Sequence, residues 1–445
     1  MSTLAMVESP AAADFHRRHS VSDAQRMLRR LLDESILAPE RPAVIVHDLF
    51  RLHDKLRALR DAFPEMTRHA IAIKANPLVE VLKEIVKVGF GLEAASVEET
   101  ELARAAGCPH DRIVFDSPAK TDLEIQHALR CGFTINVDNA TELKRIARLY
   151  KPLNSQSLIG LRINPEVGPG TIGTTSVAAR GSKFGFSLST QADDLVQAFA
   201  SHAFIRGLHV HTGSQGCGIE LLTESIRRVT ALARRIETET HRPVEIINIG
   251  GGLAAKYDDD DHAATPLEYA DRLRDQVPDL FHDRRILATE MGRAIHAGCG
   301  IAFSRVEYVR PADGEIPAMA TLHLGADFLL RPVYRPDDWK HEFFVFDARG
   351  TPRPQSRDGA VPTTLAGPLC FGGDLIAKSR VLPPIQEGDY VAIRDCGAYT
   401  LAMWSRHCSR GIPRVLGWCG PDAPMRLLRR EETPQDIASY WASER

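Results

Sequence analysis

The chain has 445 residues, 44% of them hydrophobic, enough to bury a large core as two domains or as one barrel-sized domain with an appendage. Its 55 basic and 58 acidic side chains nearly cancel, so no whole-chain field would hold it on nucleic acid or an anionic membrane, and a small-molecule partner is expected. No run of about 18 apolar residues occurs, and Met1 to Arg18 carry polar and charged groups where a secretory segment needs continuous apolar ones, which predicts a cytoplasmic protein.

Residues 1–42 read as an N-terminal segment, mostly helical from about Ser22 to Glu34, that packs on a second domain. From 43 to 303, short apolar runs alternate with helical patterns, as in a parallel sheet covered by helices. The candidate strands are Ala43–His47, Arg68–Ile73, Gly91–Ala94, Ile113–Phe115, Thr134–Val137, Leu158–Ile163, Ile205–His209, Ile246–Ile249 and Ile286–Thr289, about the number that a (β/α)8 barrel needs. Among the helices between them, Val97–Ala106 is predicted to start at Ser96 as cap, with Glu99 completing a capping box. Over 304–445 the texture changes to strand-like runs broken by Gly and Pro, such as Val306–Val309, Phe343–Phe346 and Tyr390–Arg394. The fold class is therefore α/β followed by β: a TIM-like barrel with a C-terminal β-domain, a sandwich or Greek-key barrel. Arg335–Thr363, rich in Pro, Asp, Gly and Arg, is expected to be a long surface excursion.

Lys74 ends an apolar strand in Ala72-Ile73-Lys74-Ala75-Asn76-Pro77, where Asn-Pro turns the chain. A lysine among small apolar residues at a barrel strand end can be desolvated, which makes its neutral amine available to attack an aldehyde. The alternative is a lysine that snorkels from the strand end. Gly250, Gly251 and Gly252 follow Ile246–Ile249, and their backbone N–H groups could surround a phosphate, or they form a plain tight turn. Gly168-Pro169-Gly170-Thr171-Ile172-Gly173 has the dinucleotide spacing but no strand-to-helix context, and reads as a mobile loop. In Leu208–Gln215, His209 and His211 lie on one strand face without carboxylate or Cys partners at ligand spacing. No metal is therefore expected there, and an imidazole stacked over a flat cofactor ring, with Ser214 near a phosphate, fits the glycine loop better.

Glu290 and Arg293 follow another strand end. They form a surface ion pair or, functionally, a carboxylate facing a pyridine nitrogen, which keeps a cofactor ring an electron sink, with Arg293 as an anion-binding fork. The 8 cysteines, at 108, 131, 217, 299, 370, 396, 408 and 419, show no close metal-ligand spacing and read as buried hydrophobes for the most part. Cys370, in Gly367–Asp374, is singled out as reactive. Tyr399 lies in a similar loop, Asp395–Thr400, and Asp258 to Asp261 read as a solvated loop or a weak cation site.

Taken in order from about Pro42 to Gly420, these segments resemble the alanine-racemase-fold decarboxylases that use pyridoxal 5′-phosphate, the group of diaminopimelate, ornithine and biosynthetic arginine decarboxylases. The resemblance implies that the barrel binds this cofactor and that Lys74 carries it as a Schiff base. It further implies that His211 stacks on the ring, that Ser214 and Gly250 to Gly252 take the phosphate, and that Glu290 binds the pyridine nitrogen. Arg293 and Tyr399 would help bind phosphate and substrate, and Arg331 and Tyr334, in Leu330-Arg331-Pro332-Val333-Tyr334, match a substrate-carboxylate motif with altered spacing. In this family the site is shared by a homodimer, so Cys370 and Tyr399 would come from the partner subunit, and Cys370 would return a proton to the α-carbon.

One position departs from the pattern. Where the diaminopimelate enzymes carry Glu and the ornithine enzymes Asp, after the cysteine, this chain has Phe371. A neutral ring cannot pair a buried distal ammonium, which argues for a non-standard or conjugated amino acid, as in siderophore and antibiotic pathways, with diaminopimelate itself as the alternative. An amino-acid racemase or epimerase on this fold would place Arg, not Glu290, against the pyridine nitrogen. A non-catalytic regulatory homologue would be expected to have lost Lys74 and Cys370.

Overall fold

The computed structural model describes residues 15–281, 285–354 and 359–443. They divide into two compact units: Phe15 and His16 with the described residues of 53–255 and 262–295, and residues 17–52 and 256–261 with the described residues from 296 onward.

Strand β1 (Ala43–Asp48) belongs to the second unit, and the first is built on the strands that follow it. These are β2 (Arg68–Ala72), β3 (Gly91–Ala94), β4 (Ile113–Phe115), β5 (Thr134–Val137) and β6 (Ile159–Asn164), which carries the two-residue β7 (Phe186–Ser187), then β8 (Ile205–His209), β9 (Ile246–Asn248) and β10 (Ile286–Met291). The ring β2-β3-β4-β5-β6-β8-β9-β10 is parallel throughout and closes through the pairing of β10 with β2, giving the expected eight-stranded barrel. Its strands are short runs of Ile, Leu, Val and Ala because both faces are covered, and four of the linking helices start at side-chain caps, Ser96, Thr121, Asn139 and Thr265. Thr121 with Glu124, and Thr265 with Glu268, form reciprocal capping boxes. Ser96 caps its helix as expected, but the Glu99 carboxylate reaches past it to the Ala95 N–H at 2.6 Å, so the box is displaced by one residue.

The second unit is a nine-stranded mixed sheet of β1 with β11 (Gly300–Arg310), β12 (Ala318–Leu322), β13 (Phe343–Phe346), β14 (Val361–Ala366), β15 (Leu375–Leu382), β16 (Tyr390–Ile393), β17 (Val415–Trp418) and β18 (Arg426–Arg429). Strand β1 pairs antiparallel with β11 and parallel with β17, which corrects its assignment to the barrel. A buried apolar strand reads the same in either sheet, and local pattern does not carry the pairing. The helix Val21–Asp33, capped by Ser20 and Asp23, lays Ala24, Met27, Leu28 and Leu31 against Val44, Val46, Phe303, Phe346 and Leu416.

Two further expectations change. The 335–363 stretch is no single surface excursion: β13 lies within it, paired with β16, and Trp339, Phe343, Val345 and Phe346 are buried, while 355–358 lie outside the described residues. Nor does 168–173 stand free as a loop: Thr171 N–H donates to Gly216 O at 2.8 Å and Val177 N–H to Thr212 O at 3.0 Å, which docks the segment on the chain around Ser214.

Candidate active site

The C-terminal strand ends of the barrel collect its buried polar groups. Parallel pairing places Glu93 of β3 beside Ala72 of β2, Glu290 of β10 beside Ala70, and the run Arg162, His209, Asn248 side by side on β6, β8 and β9. These side chains sit among Ile, Leu and Ala, where a polar group must find partners.

Lys74 lies in a 3-10 turn, Ile73–Ala75, directly after β2. Its Nζ is 2.5 Å from both oxygens of Glu93, a fully buried residue. Burial, aided by the Glu290 and Asp116 charges, holds the Glu93 carboxyl above its ordinary value against the downward pull of the Lys74 charge. The lysine amine thus meets a buried carboxyl, while its side chain remains 36% exposed.

Glu290, 2% exposed, is held on both oxygens. Asn248 Nδ2 donates to Oε1 at 2.6 Å, with Asn136 Nδ2 at 3.5 Å, and His209 Nε2 stands 3.2 Å from Oε2. Burial disfavours a charged His209, yet Asp116 and Glu290 outweigh it and raise the imidazole above its ordinary value. Asp116 is held low despite burial, by Arg162 at 3.4 Å and by His209. Ligand atoms of Asp116, His209 and Glu290 lie within 4.8 Å of one another, so other strands supply the carboxylates that His209 lacks in its own segment. Arg162 pairs with Asp116 in this cluster at 3.4 Å.

The triple glycine closes the other side. A Cβ on Gly250 would overlap the Val210 carbonyl and one on Gly251 the Glu290 carbonyl, and Gly250 has a φ of +65°. This close approach brings loop, strand end and His211 together: Gly251 N–H donates to His211 Nδ1 at 3.1 Å. That bond fixes Nδ1 as an acceptor. Burial, together with the charges of Lys74 and Arg162, holds the His211 ring well below its ordinary pKa, so it is neutral. Beyond it, Ser214 Oγ accepts from Arg293 Nε at 2.9 Å, and Arg293 is buried just after β10. One barrel end therefore holds an amine, a glycine cradle beside a buried arginine and a hydroxyl, a neutral imidazole, and an oriented carboxylate. That donor set fits a phosphorylated aldehyde on a pyridine ring.

The remaining expected residues lie on the second unit, on one surface of it. Arg331 and Tyr334 share the short helix Leu330–Tyr334. The Arg331 guanidinium lies 4.6 Å from the Trp339 ring and 4.9 Å from that of Tyr399, and Tyr334 stacks on Phe371 at 6.0 Å and 16°. His407 meets Phe371 edge-on at 6.3 Å. Cys370 and Phe371 are exposed on a loop pinned by buried Asp374, whose oxygens accept from Leu369 N–H at 2.8 Å and Ala326 N–H at 2.6 Å.

Two sequence expectations are revised. The Asp258–Asp261 run is not simply solvated, since Asp259 pairs with Arg18 at 2.7 Å and Asp261 accepts from Tyr257 N–H at 2.7 Å. Of the cysteines expected to be buried, Cys131, Cys408 and Cys419 are not, whereas Cys108, Cys217, Cys299 and Cys396 are. Glu93, Asp116, Asn136, Arg162, Asn248 and His407 went unread; the signal for the first five is a polar residue in or just after an otherwise apolar barrel strand.

Residues 49–297 match the family model described as pyridoxal-dependent decarboxylase, pyridoxal binding domain. The chain is 31% identical over 377 residues to a diaminopimelate decarboxylase of Vibrio cholerae, covering 84% of this chain and 85% of that one. It is 28% identical over 384 residues to one of Aquifex aeolicus, covering 86% and 87%. In fold it is similar to the crystal structure of diaminopimelate decarboxylase from Helicobacter pylori complexed with L-lysine, with a TM-score of 0.81 at 24% identity over 92% of this chain and 98% of that chain. The Lys74 end of the barrel and these likenesses agree: the chain belongs to the pyridoxal-dependent decarboxylases, carboxy-lyases whose cofactor is pyridoxal phosphate.

Proposed function

We propose that this protein removes the α-carboxylate of an amino acid whose side chain does not end in an ammonium group. The observation that carries the reading is the Lys74 amine held against Glu93 in the same barrel end as Glu290, His211 and the triple glycine. Bound pyridoxal phosphate supplies an electron sink for the pair left behind when carbon dioxide departs.

The chain's residues take the following parts. Lys74 holds the cofactor aldehyde, and Glu93 is the proton partner that lets its amine pass between charged and neutral forms. Gly250 to Gly252, Ser214 and Arg293 hold the phosphate, and the neutral His211 ring covers the cofactor face. Glu290, fixed by Asn248 and His209, presents its charge to the ring nitrogen and keeps it protonated. Arg331, Tyr334, Phe371 and Tyr399 bind substrate, and Cys370 returns a proton to the α-carbon. Cys370 and Tyr399 are contributed by the partner of a homodimer, in a cytoplasmic protein. Among the described residues no helix is long and apolar enough to cross a membrane.

Phe371 supports the choice of side chain, since the loop that presents it offers no carboxylate to a distal amine. The activity named for the relatives favours a second reading, decarboxylation of diaminopimelate itself. Carbon dioxide release by the cofactor-loaded protein, measured over basic, acidic, neutral and conjugated amino acids, separates the two. Release from a non-basic substrate supports the proposal, a preference for diaminopimelate selects the second reading, and racemisation without release would sink both.

A further inference from the structure

The second unit carries a cleft of about 700 Å³, and none of its lining residues belongs to the candidate active site. Arg394, just after β16, forms part of it; this residue is buried, and its guanidinium lies 4.9 Å from the Phe344 ring. Of the three guanidinium nitrogens only Nη1 is engaged, donating to Glu342 Oε2 at 2.6 Å. Nε is buried without an acceptor, and Nη2 has none among the described residues. Buried donors are paired as a rule, so a buried guanidinium that uses one nitrogen of three points to an absent acceptor.

A second cation joins it. Arg380 is half-buried, lines the same cleft and makes no hydrogen bond or ion pair among the described residues. It follows an irregularity at which Thr364 of β14 faces both Lys378 and Ser379 of β15, Ser379 taking a φ of +47°. A bulge of this kind breaks the alternation of a strand and re-aims the side chains next to it.

The acids of the cleft are only half used. Glu342 Oε2 serves both Arg394 and Arg18, the latter at 3.1 Å, and Asp259 gives Oδ1 to Arg18 at 2.7 Å. Arg18 also pairs with buried Asp395 at 2.6 Å. Glu342 Oε1 and Asp259 Oδ2 accept nothing among the described residues. Arg18, Arg380 and Arg394 thus balance Asp259, Glu342 and Asp395, so a ligand of one sign meets no excess of the other. A zwitterion satisfies both sets and leaves the balance unchanged. The remaining wall is apolar, built from Phe344, Val381, Leu382 and Pro383.

We propose that this cleft binds a free α-amino acid with a large apolar side chain, its carboxylate on Arg380 and the open edge of Arg394, its ammonium on Glu342 Oε1 and Asp259, and its side chain on the apolar wall. The site is separate from the decarboxylase reading above and does not rest on it.

The test uses the cofactor-loaded protein after borohydride reduction, so that the cofactor can no longer form an imine with an added amine. It is titrated by calorimetry with phenylalanine, leucine, phenethylamine, 3-phenylpropionate and inorganic phosphate. Phenylalanine or leucine should bind at one site per chain. Phenethylamine and 3-phenylpropionate, which each lack one charged group, should bind at least about tenfold more weakly than phenylalanine, the usual worth of a hydrogen bond to a charged group. Arg380→Gln removes a side chain without partners, so it should leave the melting temperature unchanged and erase the preference for phenylalanine over phenethylamine. Glu342→Gln should erase the preference over 3-phenylpropionate; if it fails to fold, because Arg18 and Arg394 lose their shared acid, Asp259→Asn at an exposed position should reduce that preference instead. No binding of either amino acid, binding unchanged in Arg380→Gln, or phosphate or 3-phenylpropionate bound as tightly as phenylalanine would overturn the inference.

Discussion

Exchanging Glu290 for Gln removes one charge and almost no volume. The amide can keep its carbonyl toward Asn248, 2.6 Å away, and turn its NH2 toward His209 Nε2, 3.2 Å from the other oxygen, so the network survives in outline. What is lost is the anion that keeps a ring nitrogen protonated, and with it one of the two carboxylates that raise His209. Two unit charges about 4 Å apart interact by about 4 kcal/mol at the effective dielectric of a partly buried site. If that interaction is realised fully only as charge flows into the ring, kcat falls about 1000-fold. The assay is carbon dioxide release under cofactor saturation, with cofactor content and melting temperature measured on the same sample. A variant that is fully loaded, normally stable and within tenfold of the parent would refute the role given to Glu290.

Gly251→Ala places a methyl group against the Glu290 carbonyl and forces the loop away from the strand end. It should lower stability by about 1–3 kcal/mol and weaken cofactor binding at least tenfold, read by denaturant melts and cofactor titration. Cys370→Ala should leave the cofactor bound and slow formation of the amine product by roughly 100-fold or more, the usual share of a general acid; normal turnover would remove Cys370 from the mechanism. His69, buried and bonded to Thr289 at 2.9 Å, is lowered to about 4, first by burial and then by the Arg60 charge. Its folded value lies below its unfolded one, so its contribution is present above pH 6.5 and is lost as the pH falls from 6.5 toward 4. That loss is about 3 kcal/mol, and His69→Asn should flatten the stability profile in this window, measured by urea midpoints.

The barrel was legible because its strands are short apolar runs at regular spacing, each followed by a helical pattern. Lys74, His211, Gly250 and Glu290 were legible because each stands at the end of such a run, where the chain turns and a side chain or backbone can face a ligand. Glu93 was missed although Gly91-Leu92-Glu93-Ala94 is a strand with one charge in it, because nothing local shows that the neighbouring strand brings Lys74 beside it. Asp116, Arg162 and Asn248 were missed for the same reason: their meaning is lateral, set by the register between parallel strands. The placement of β1 in the other sheet and the His407 contact with Phe371 are likewise long-range pairings that residue pattern does not encode.

The proposed chemistry turns on where the cofactor is attached. Reducing the cofactor-loaded protein with borohydride and mapping its peptides should place the pyridoxal phosphate mass on the peptide containing Lys74, with no such adduct in Lys74→Ala. An adduct on another lysine, or an unchanged adduct in the Lys74→Ala protein, would contradict it.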